Sequence, residues 1–202
     1  MRTAILRLTL FMFQAFTLPF ALFYLVSGRS VNVFQSIMQT ACLVPASPGI
    51  FMRQALLRWM IASCGLRVTV HLGTLFSNPS AELGENVYIG AFCNIGNARL
   101  SDYVLLGSSV HILSGKHQHA YGRHDIPIAL QGGSKTPVRI GYGTWIGNGA
   151  VVMADIGEEC IVGAGSVVVD AIPAWSIAVG SPARVIADRR TLVSDGGSKL
   201  ET

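Results

Sequence analysis

Residues 140–168 read IGYGTWIGNGAVVMADIGEECIVGAGSVV, and an aliphatic residue returns there about every six positions, usually with glycine behind it. The same rhythm starts at Leu83 and gives twelve aliphatic positions: Leu83, Ile89, Ile95, Leu100, Leu106, Ile112, Ile140, Ile146, Val152, Ile156, Val162 and Val168. A six-residue unit is too short for a pair of helices, so each unit must be a short strand and a turn. A Gly-rich β-sandwich is the alternative, but its strands repeat every 8–12 residues. The period therefore predicts a β-helix with the aliphatic side chains inside.

The period is interrupted in three places. Ile95 to Leu100 is five residues, and Val152 to Ile156 is four. Ile112 to Ile140 spans 28 positions where six are expected, which leaves 22 extra residues. A packed β-helix accommodates such an insertion only as an outward loop, and loops on rigid scaffolds often carry function. We predict this loop over residues 114–139.

The N-terminal two fifths of the chain, residues 1–81, differ in composition from the rest. Residues 1–81 contain six arginines and no lysine, aspartate or glutamate, whereas the whole 202-residue chain is 50% hydrophobic and 13% charged. The arginines are too sparse for a nucleic-acid surface, but they suit anionic lipid head groups. Residues 8–26 are 19 consecutive uncharged residues, which just reaches the length of a membrane span. We predict an apolar, helical, membrane-associated region over residues 1–66.

Three interpretations of residues 8–26 stay open: a single span, a re-entrant or monotopic helical hairpin, and a cleaved signal peptide. The signal peptide is disfavoured because no A-x-A-like cleavage site follows the apolar run. Over residues 31–62, Arg53 and Arg58 among apolar neighbours predict an interfacial helix with arginine at its polar edge. The alternative is a helix that packs against the β-helix or a neighbouring subunit. Arginine counts on either side of one span predict that the β-helix faces the cytoplasm.

The units ENVYIG (85–90), GYGTWIGNGAVV (141–152) and IVGAGSVV (161–168) resemble the hexapeptide-repeat acyltransferases. The similarity is greatest to the branch that O-acetylates sugars, and it covers roughly residues 68–187. The resemblance implies a left-handed parallel β-helix domain over residues 67–187, with three units in each coil. It also implies a homotrimer and acetyl-CoA as acyl donor. Residues 188–202 are predicted to be a flexible C-terminal tail.

Three histidines, His117, His119 and His124, lie in the predicted outward loop. Acyl transfer to an alcohol needs a base near neutral pKa that takes the hydroxyl proton, and histidine is the usual choice. The resemblance assigns that role to His117, in the segment SGKHQH. His119 is the main competitor and a candidate substrate contact, and His124 is expected to be a solvated loop residue or a substrate contact.

The resemblance places further site residues outside the loop. Trp145 matches a tryptophan beside the coenzyme and the catalytic histidine, or else an aromatic stacked on the outer coil face. Asn94 matches an asparagine that contacts the acceptor hydroxyl. Asn148, Ala164 and Arg184 match positions that bind coenzyme A.

The chain departs from the family pattern at two positions that serve the coenzyme phosphates. Val169-Asp170 replaces a Thr-Lys pair that relatives often have, so a phosphate contact is lost or moved. Ala187 stands where a second basic residue is expected, and Arg189 and Arg190 are possible substitutes.

These features predict an O-acetyltransferase that moves an acetyl group from acetyl-CoA to a sugar hydroxyl of a polysaccharide precursor or lipid-linked glycan. An acyl carrier protein as donor, or a small-molecule acceptor, is the alternative on the same fold. A γ-type carbonic anhydrase is less favoured: His119 and His124 fit its ligand spacing, but the region of the third ligand, residues 83–94, has no histidine. We therefore expect no metal. A non-enzymatic trimeric membrane scaffold would not need the histidine-bearing loop.

Overall fold

The computed structural model describes residues 2–192, with side chains described from Arg7 onward. Three helices come first: α1 (Arg2–Val26), α2 (Val31–Cys42) and α3 (Ala46–Met60). Short strands follow: β1 (Ser63–Cys64), β2 (Thr69–Val70), β3 (Leu75–Phe76), β4 (Glu82–Leu83), β5 (Tyr88–Ile89), β6 (Asn94–Ile95), β7 (Ala98–Leu100), β8 (Leu105–Leu106), β9 (His111–Ile112), β10 (Val138–Ile140), β11 (Trp145–Ile146), β12 (Val151–Val152), β13 (Ile161–Val162), β14 (Val167–Val168), β15 (Ser176–Val179) and β16 (Arg184–Asp188).

The strands form three parallel sheets that wrap around one core. Sheet A contains β1, β4, β7 and β10, and single bridges at Ile156 and Ile172 extend it. Sheet B runs β2, β5, β8, β11, β13, β15 and β16, and sheet C runs β3, β6, β9, β12 and β14. Only β15 and β16 pair antiparallel among the described strands. The chain visits A, B and C in turn, which is the predicted β-helix with three units in each coil.

The predicted inward positions are confirmed. All twelve aliphatic residues of the repeat are at most 3% exposed. The small positions between them, such as Cys93, Thr144 and Cys160, are buried too. Successive coils approach so closely at the turns that a Cβ on Gly90 would lie 2.6 Å from the carbonyl carbon of Gly107. Glycine therefore follows the inward residue because a side chain there would push the coils apart.

The two shortened intervals, Ile95 to Leu100 and Val152 to Ile156, keep the coils in register. Leu100 pairs with both Leu83 and Ile140, and Ile156 bridges Ile140 and Ile172. Each shortened turn thus starts a new coil on sheet A. The long insertion lies between β9 and β10, so residues 113–137 leave the coil, and we call them the excursion loop. Two residues of the loop predicted at 114–139 belong instead to β10, because they pair with β7.

The helices cover one end of the β-helix. α3 packs on β1 and β2, and α2 packs on β3, all three being strands of the first coil. Phe34 and Met38 from α2 and Leu57 and Met60 from α3 are buried in the same core as the coil residues. The first coil begins at Ser63, four residues before the boundary predicted at 67, because β1 pairs with β4.

Arg53 contradicts the prediction of an arginine at the polar edge of an interfacial helix. Its side chain is 1% exposed. Its guanidinium donates to three backbone oxygens, those of Ala41, Val44 and Val70, at 2.8–3.0 Å. Ala41 lies in the last turn of α2, Val44 follows that helix, and Val70 is in β2. Arg53 thus joins α2, α3 and the β-helix, which agrees with the alternative of a helix packed on the coils.

α1 packs along one stripe only. Leu10, Thr17, Ala21 and Tyr24 are buried at helical spacing, and the ring of Phe13 stacks on Phe51 of α3 with centroids 5.7 Å apart. The other faces of α1 expose large apolar side chains: Leu8, Phe11, Met12, Phe16, Leu18, Phe20, Leu22, Phe23, Leu25 and Val26. By length and composition alone, Arg7–Val26 is a candidate membrane span.

Of the tail predicted at 188–202, the structure describes only the part up to Leu192. That part begins with the last residue of β16 and continues into a short 3-10 helix, Arg189–Thr191, in which Asp188 accepts a hydrogen bond from the backbone N–H of Arg190. Residues 193–202 lie outside the described residues.

Candidate functional site

The excursion loop leaves the β-helix at the edge between sheets C and A, which we call the C–A edge. Its two arms pair with each other: Thr136 N–H donates to Ser114 O at 3.1 Å, Ser134 N–H to His117 O at 2.8 Å, and Ala120 N–H to Gly132 O at 2.9 Å. Glycine is required at Gly133, where φ is 155° and a Cβ would lie 2.1 Å from the carbonyl oxygen of Gln118. The base of the loop is therefore a backbone ribbon of fixed geometry.

His117 lies on this ribbon. Its carbonyl is held by Ser134, whereas its imidazole is exposed and forms no hydrogen bond with any described residue. His119 and His124 are exposed as well, further toward the loop tip. His117 thus has a positioned backbone and a side chain that is free to accept a proton from a bound molecule.

A contact to a distant coil steadies the base of the loop beside His117. Lys116 Nζ lies 3.5 Å from both the carbonyl oxygen of Val169 and Oδ1 of Asp170. Val169-Asp170 is the pair that replaces Thr-Lys of the family pattern, and the carboxylate faces a lysine of this chain. The contact joins residues 54 positions apart, and no local sequence signal could have found it.

The loop tip is closed by Gln131. Its side-chain Oε1 accepts from Arg123 N–H, and its Nε2 donates to the carbonyl oxygens of Arg123 and Ile126. Arg123 also pairs with Asp125, and that ion pair lowers the pKa of the Asp125 carboxyl. The ordered tip nevertheless exposes three large apolar side chains, Tyr121, Ile128 and Leu130. Exposed apolar groups on an ordered loop are typical of a surface that contacts another molecule.

Asn94 lies on the same side of the molecule as His117. It is exposed on β6 of sheet C, in register with His111 of β9, the strand from which the excursion loop departs. Trp145 lies elsewhere, on β11 of sheet B, where the residue is 51% exposed. In a three-sided coil the C–A edge is opposite sheet B. One chain therefore does not bring Trp145 and His117 together.

The candidate coenzyme residues lie along the edge between sheets B and C and on the last strand. Asn148 and Ala164 occupy successive turns at this edge, and a Cβ on Gly147 would lie 2.5 Å from Ala164 N. The Asn148 side chain has a structural bond, since its Oδ1 accepts from Ser108 N–H at 2.9 Å. Arg184 on β16 is exposed, and its guanidinium donates only to the carbonyl oxygen of Ala183 among the described residues.

Arg189 and Arg190, the possible substitutes for the basic residue expected at position 187, both form ion pairs within the chain. Arg189 pairs with Glu159, and Arg190 pairs with Asp188 while its guanidinium lies 6.0 Å from the ring centroid of Trp175. Asp188 keeps a pKa of about 2 because of hydrogen bonds from Arg190. Of these arginines, Arg184 has no carboxylate partner among residues 7–192 and is the one free to meet a phosphate.

The thiols are unsuited to nucleophilic attack. Burial raises the pKa of Cys42 to about 11 and that of Cys64 to about 12, and it raises the pKa of Cys93 and Cys160 as well. A thiolate is the reactive form, so a raised pKa suppresses reactivity. Within the described residues, no group of three His, Cys, Asp or Glu side chains is arranged to hold a metal ion.

No protein-family model matches the chain. Among curated proteins, it is 35% identical over 135 residues to a probable acetyltransferase of Mycobacterium tuberculosis, covering 66% of this chain and 43% of that protein. It is 31% identical over 144 residues to the galactoside O-acetyltransferase of Escherichia coli, covering 67% of this chain and 68% of that enzyme. The chain thus spans less than half the length of the mycobacterial relative.

Solved structures share the fold. A maltose O-acetyltransferase from Clostridium difficile superposes with a TM-score of 0.66 at 24% identity, covering 78% of this chain and 87% of that one. A galactoside acetyltransferase in complex with coenzyme A gives a TM-score of 0.57 at 24% identity, covering 79% and 82%. With this shared β-helix, and with 31% identity to the galactoside enzyme over two thirds of both chains, the protein belongs to the hexapeptide-repeat acetyltransferases.

Proposed function

We propose that the protein transfers an acetyl group from acetyl-CoA to a sugar hydroxyl, with His117 as general base. The observation that carries the proposal is the position of His117 on the base of the excursion loop. Its backbone is fixed by the bond from Ser134, and its imidazole is exposed without a partner among the described residues. A catalytic base needs both properties, because it must be aimed and must still be free to take a proton.

In the proposed reaction the His117 imidazole accepts the proton of the acceptor hydroxyl while that oxygen bonds to the thioester carbonyl carbon. The tetrahedral oxyanion that forms is stabilised by pre-aimed polar groups such as backbone N–H. The C–S bond then breaks, the acetyl ester is released, and the imidazolium returns its proton to the coenzyme A thiolate. Direct transfer is favoured over an acyl-enzyme because burial keeps Cys93 and Cys160 protonated.

We propose that coenzyme A binds along the turns between sheets B and C and on the last strand, β16. The galactoside acetyltransferase with which the chain shares its fold is a complex with coenzyme A. In this chain the turn at Ala164 is exposed and bordered by Gly163 and Gly165, so an extended pantetheine arm would meet backbone groups rather than side chains. Arg184 is the candidate for a phosphate contact, and Asn148 shapes the turn through its bond to Ser108.

A homotrimer would complete this site. Tyr88, Leu105 and Trp145 stand in register on sheet B and are exposed, so they form an apolar ladder that a monomer would leave in water. Because sheet B is opposite the C–A edge, Trp145 would reach His117 only from a neighbouring copy. The exposed apolar side chains at the tip of the excursion loop suit the same contact.

We further propose that α1 lies in a membrane interface and that the acceptor is a glycan held at the bilayer, either a polysaccharide precursor or a lipid-linked sugar. The support is the apolar surface of α1, with Phe11, Phe16 and Phe23 more than half exposed. Because the opposite stripe packs along α3, a helix in the membrane plane is favoured over an isolated span. We also propose that the β-helix lies on the cytoplasmic side of the membrane.

The deciding experiment replaces His117 by alanine in the full-length protein. We expect turnover with labelled acetyl-CoA and membrane glycan to fall by roughly 10²–10⁴-fold, with trimer size and coenzyme binding unchanged. His119→Ala is the matched control, because it removes an exposed histidine two residues away on the same ribbon. Loss of transfer in His119→Ala with full activity in His117→Ala would assign the base to His119.

A further inference from the structure

A cavity of about 590 Å³ lies between α1, α3 and the first coil. It is separate from the candidate catalytic site, since the excursion loop departs two coils further along the β-helix. Its size falls in the range of about 300–1,000 Å³ that is typical of small-molecule sites. The chemistry proposed for acetyl transfer does not use this cavity.

The interior of the cavity is apolar. Leu10 of α1, Ile50 and Phe51 of α3, and Val68 of the first coil contribute to its walls. Water gains few hydrogen bonds against such walls, whereas a hydrocarbon chain gains by leaving water. The walls therefore favour an aliphatic chain as occupant.

The rim of the cavity carries charge. Arg7 and Arg67 both line it and are exposed, and neither guanidinium forms a hydrogen bond or ion pair within the part of the chain that the structure describes. Glu85 lines the same cavity, and its Oε1 accepts a hydrogen bond from Leu66 N–H at 2.9 Å. Gln54 Nε2 donates to the carbonyl oxygen of Leu66 from the other side. The guanidinium groups at the rim are thus available to an anion, whereas one oxygen of the Glu85 carboxylate is engaged by the backbone.

We infer that this cavity binds an anionic lipid, with one hydrocarbon chain against Leu10, Phe51 and Val68 and a phosphate head group at Arg7 and Arg67. A guanidinium can meet a phosphate with two parallel hydrogen bonds, which favours arginine in this role. The inference rests on the membrane association proposed above, because Arg7 is the first residue of the apolar stretch Arg7–Val26. With α1 in the interface, the cavity rim lies at the level of the head groups, and a lipid enters without crossing water.

The phosphate and chain could come from two sources, a phospholipid of the bilayer or the lipid carrier of the glycan acceptor. The test uses full-length protein in mild detergent and hexadecyl phosphate as probe, with binding followed by native mass spectrometry and calorimetry. We expect hexadecyl phosphate to bind, and hexadecanol and inorganic phosphate to bind at least about tenfold more weakly, since each lacks one half of the interaction. Stronger competition by polyprenyl phosphate than by phosphatidylglycerol would support the carrier as source, and the reverse would support the bilayer.

Two kinds of variant test the two halves of the cavity. Arg7→Gln combined with Arg67→Gln removes the rim charge, and Leu10→Trp fills the interior; each should weaken binding about tenfold or more. Arg29→Gln is the control, because it removes an exposed arginine near the other end of α1 and should leave binding within about twofold. Unchanged binding in both cavity variants, or equal weakening in Arg29→Gln, would overturn the inference. Acetyl transfer measured on the same samples keeps the two proposals apart, because His117→Ala should lose transfer and still bind the probe.

Discussion

Sheets A and B of the β-helix are alike on the inside and opposite on the outside. Leu83, Leu100 and Ile140 point inward from sheet A as Ile89, Leu106 and Ile146 do from sheet B, and all are buried. Outward, sheet A carries ion pairs such as Arg99 with Glu82 at 3.0 Å, whereas sheet B carries the apolar ladder with Leu105 and Trp145. The inward ladders specify the coil on every side alike, whereas the outward ladders leave sheet A charged and give sheet B the apolar surface of the proposed trimer contact.

The largest expected effect comes from the inward ladders. Ile146→Ala on sheet B and Ile140→Ala on sheet A should each destabilise the fold by about 2–5 kcal/mol, because each leaves a cavity in the same core. Chemical denaturation of the two variants checks this. Arg99→Ala, on the outer face of sheet A, is the control and should cost at most about 1 kcal/mol. A marked difference between the two isoleucine variants would mean that the sheets are not equivalent inside.

The second prediction concerns the outward ladder of sheet B. Leu105→Glu should dissociate the proposed trimer, because it would bury a carboxylate without a partner in the interface. Light scattering measures the assembly, and acetyl transfer should fall with it. Arg99→Gln changes the charge of sheet A by the same amount and should leave the assembly intact. An active monomer of the wild-type protein would remove both the trimer and the shared site.

The exposed face of α1 is a third outward surface, and it is more apolar than either sheet. Phe16→Glu combined with Phe23→Glu should lower membrane partitioning by at least about tenfold, because both rings are exposed in the isolated chain and would enter lipid. Vesicle flotation measures the effect. Val185→Glu combined with Ile186→Glu on β16 is the control, placed at the other end of the coils. Wild-type protein that stays wholly soluble without detergent would contradict the membrane proposal.

The smallest effect is a pH dependence set by the Cys64 thiol, which is half-buried. The pKa of Cys64 is raised by burial to about 12 from its ordinary value of 9.0, so the folded state holds the neutral thiol more firmly than the unfolded state does. This contribution is complete below about pH 9 and is lost as the pH rises toward about 12. Urea denaturation at about pH 7 and about pH 10 should show lower stability at the higher value. Cys64→Ala should reduce the difference, and an equal difference in the variant would exclude this thiol as the cause.

The inward-facing residues of the β-helix could be predicted from the sequence. The contacts between the coils, the helices and the excursion loop could not. The twelve inward positions and the shortened intervals before Leu100 and Ile156 can be counted directly along the chain, because the period is only six residues. The role of Arg53 depends on carbonyls of two separate segments, the end of α2 and strand β2, and local sequence pointed instead to a membrane edge. The contact between Lys116 and Asp170 is equally non-local. For the site, the sequence predicts where the excursion loop leaves the coil, whereas the separation of Trp145 from His117 appears only with the three-sided geometry.

Arg53 also bears on how far His117 stands from the membrane. By joining α2, α3 and β2, it prevents the helical layer from turning independently of the coils. Neighbouring strands stack about 4.8 Å apart, so the excursion loop in the third coil stands about 10 Å beyond the helix-covered end. With α1 in the membrane interface, His117 would be held at a set height above the lipid, and the first sugars of a lipid-linked glycan would be within its reach while distant ones would not.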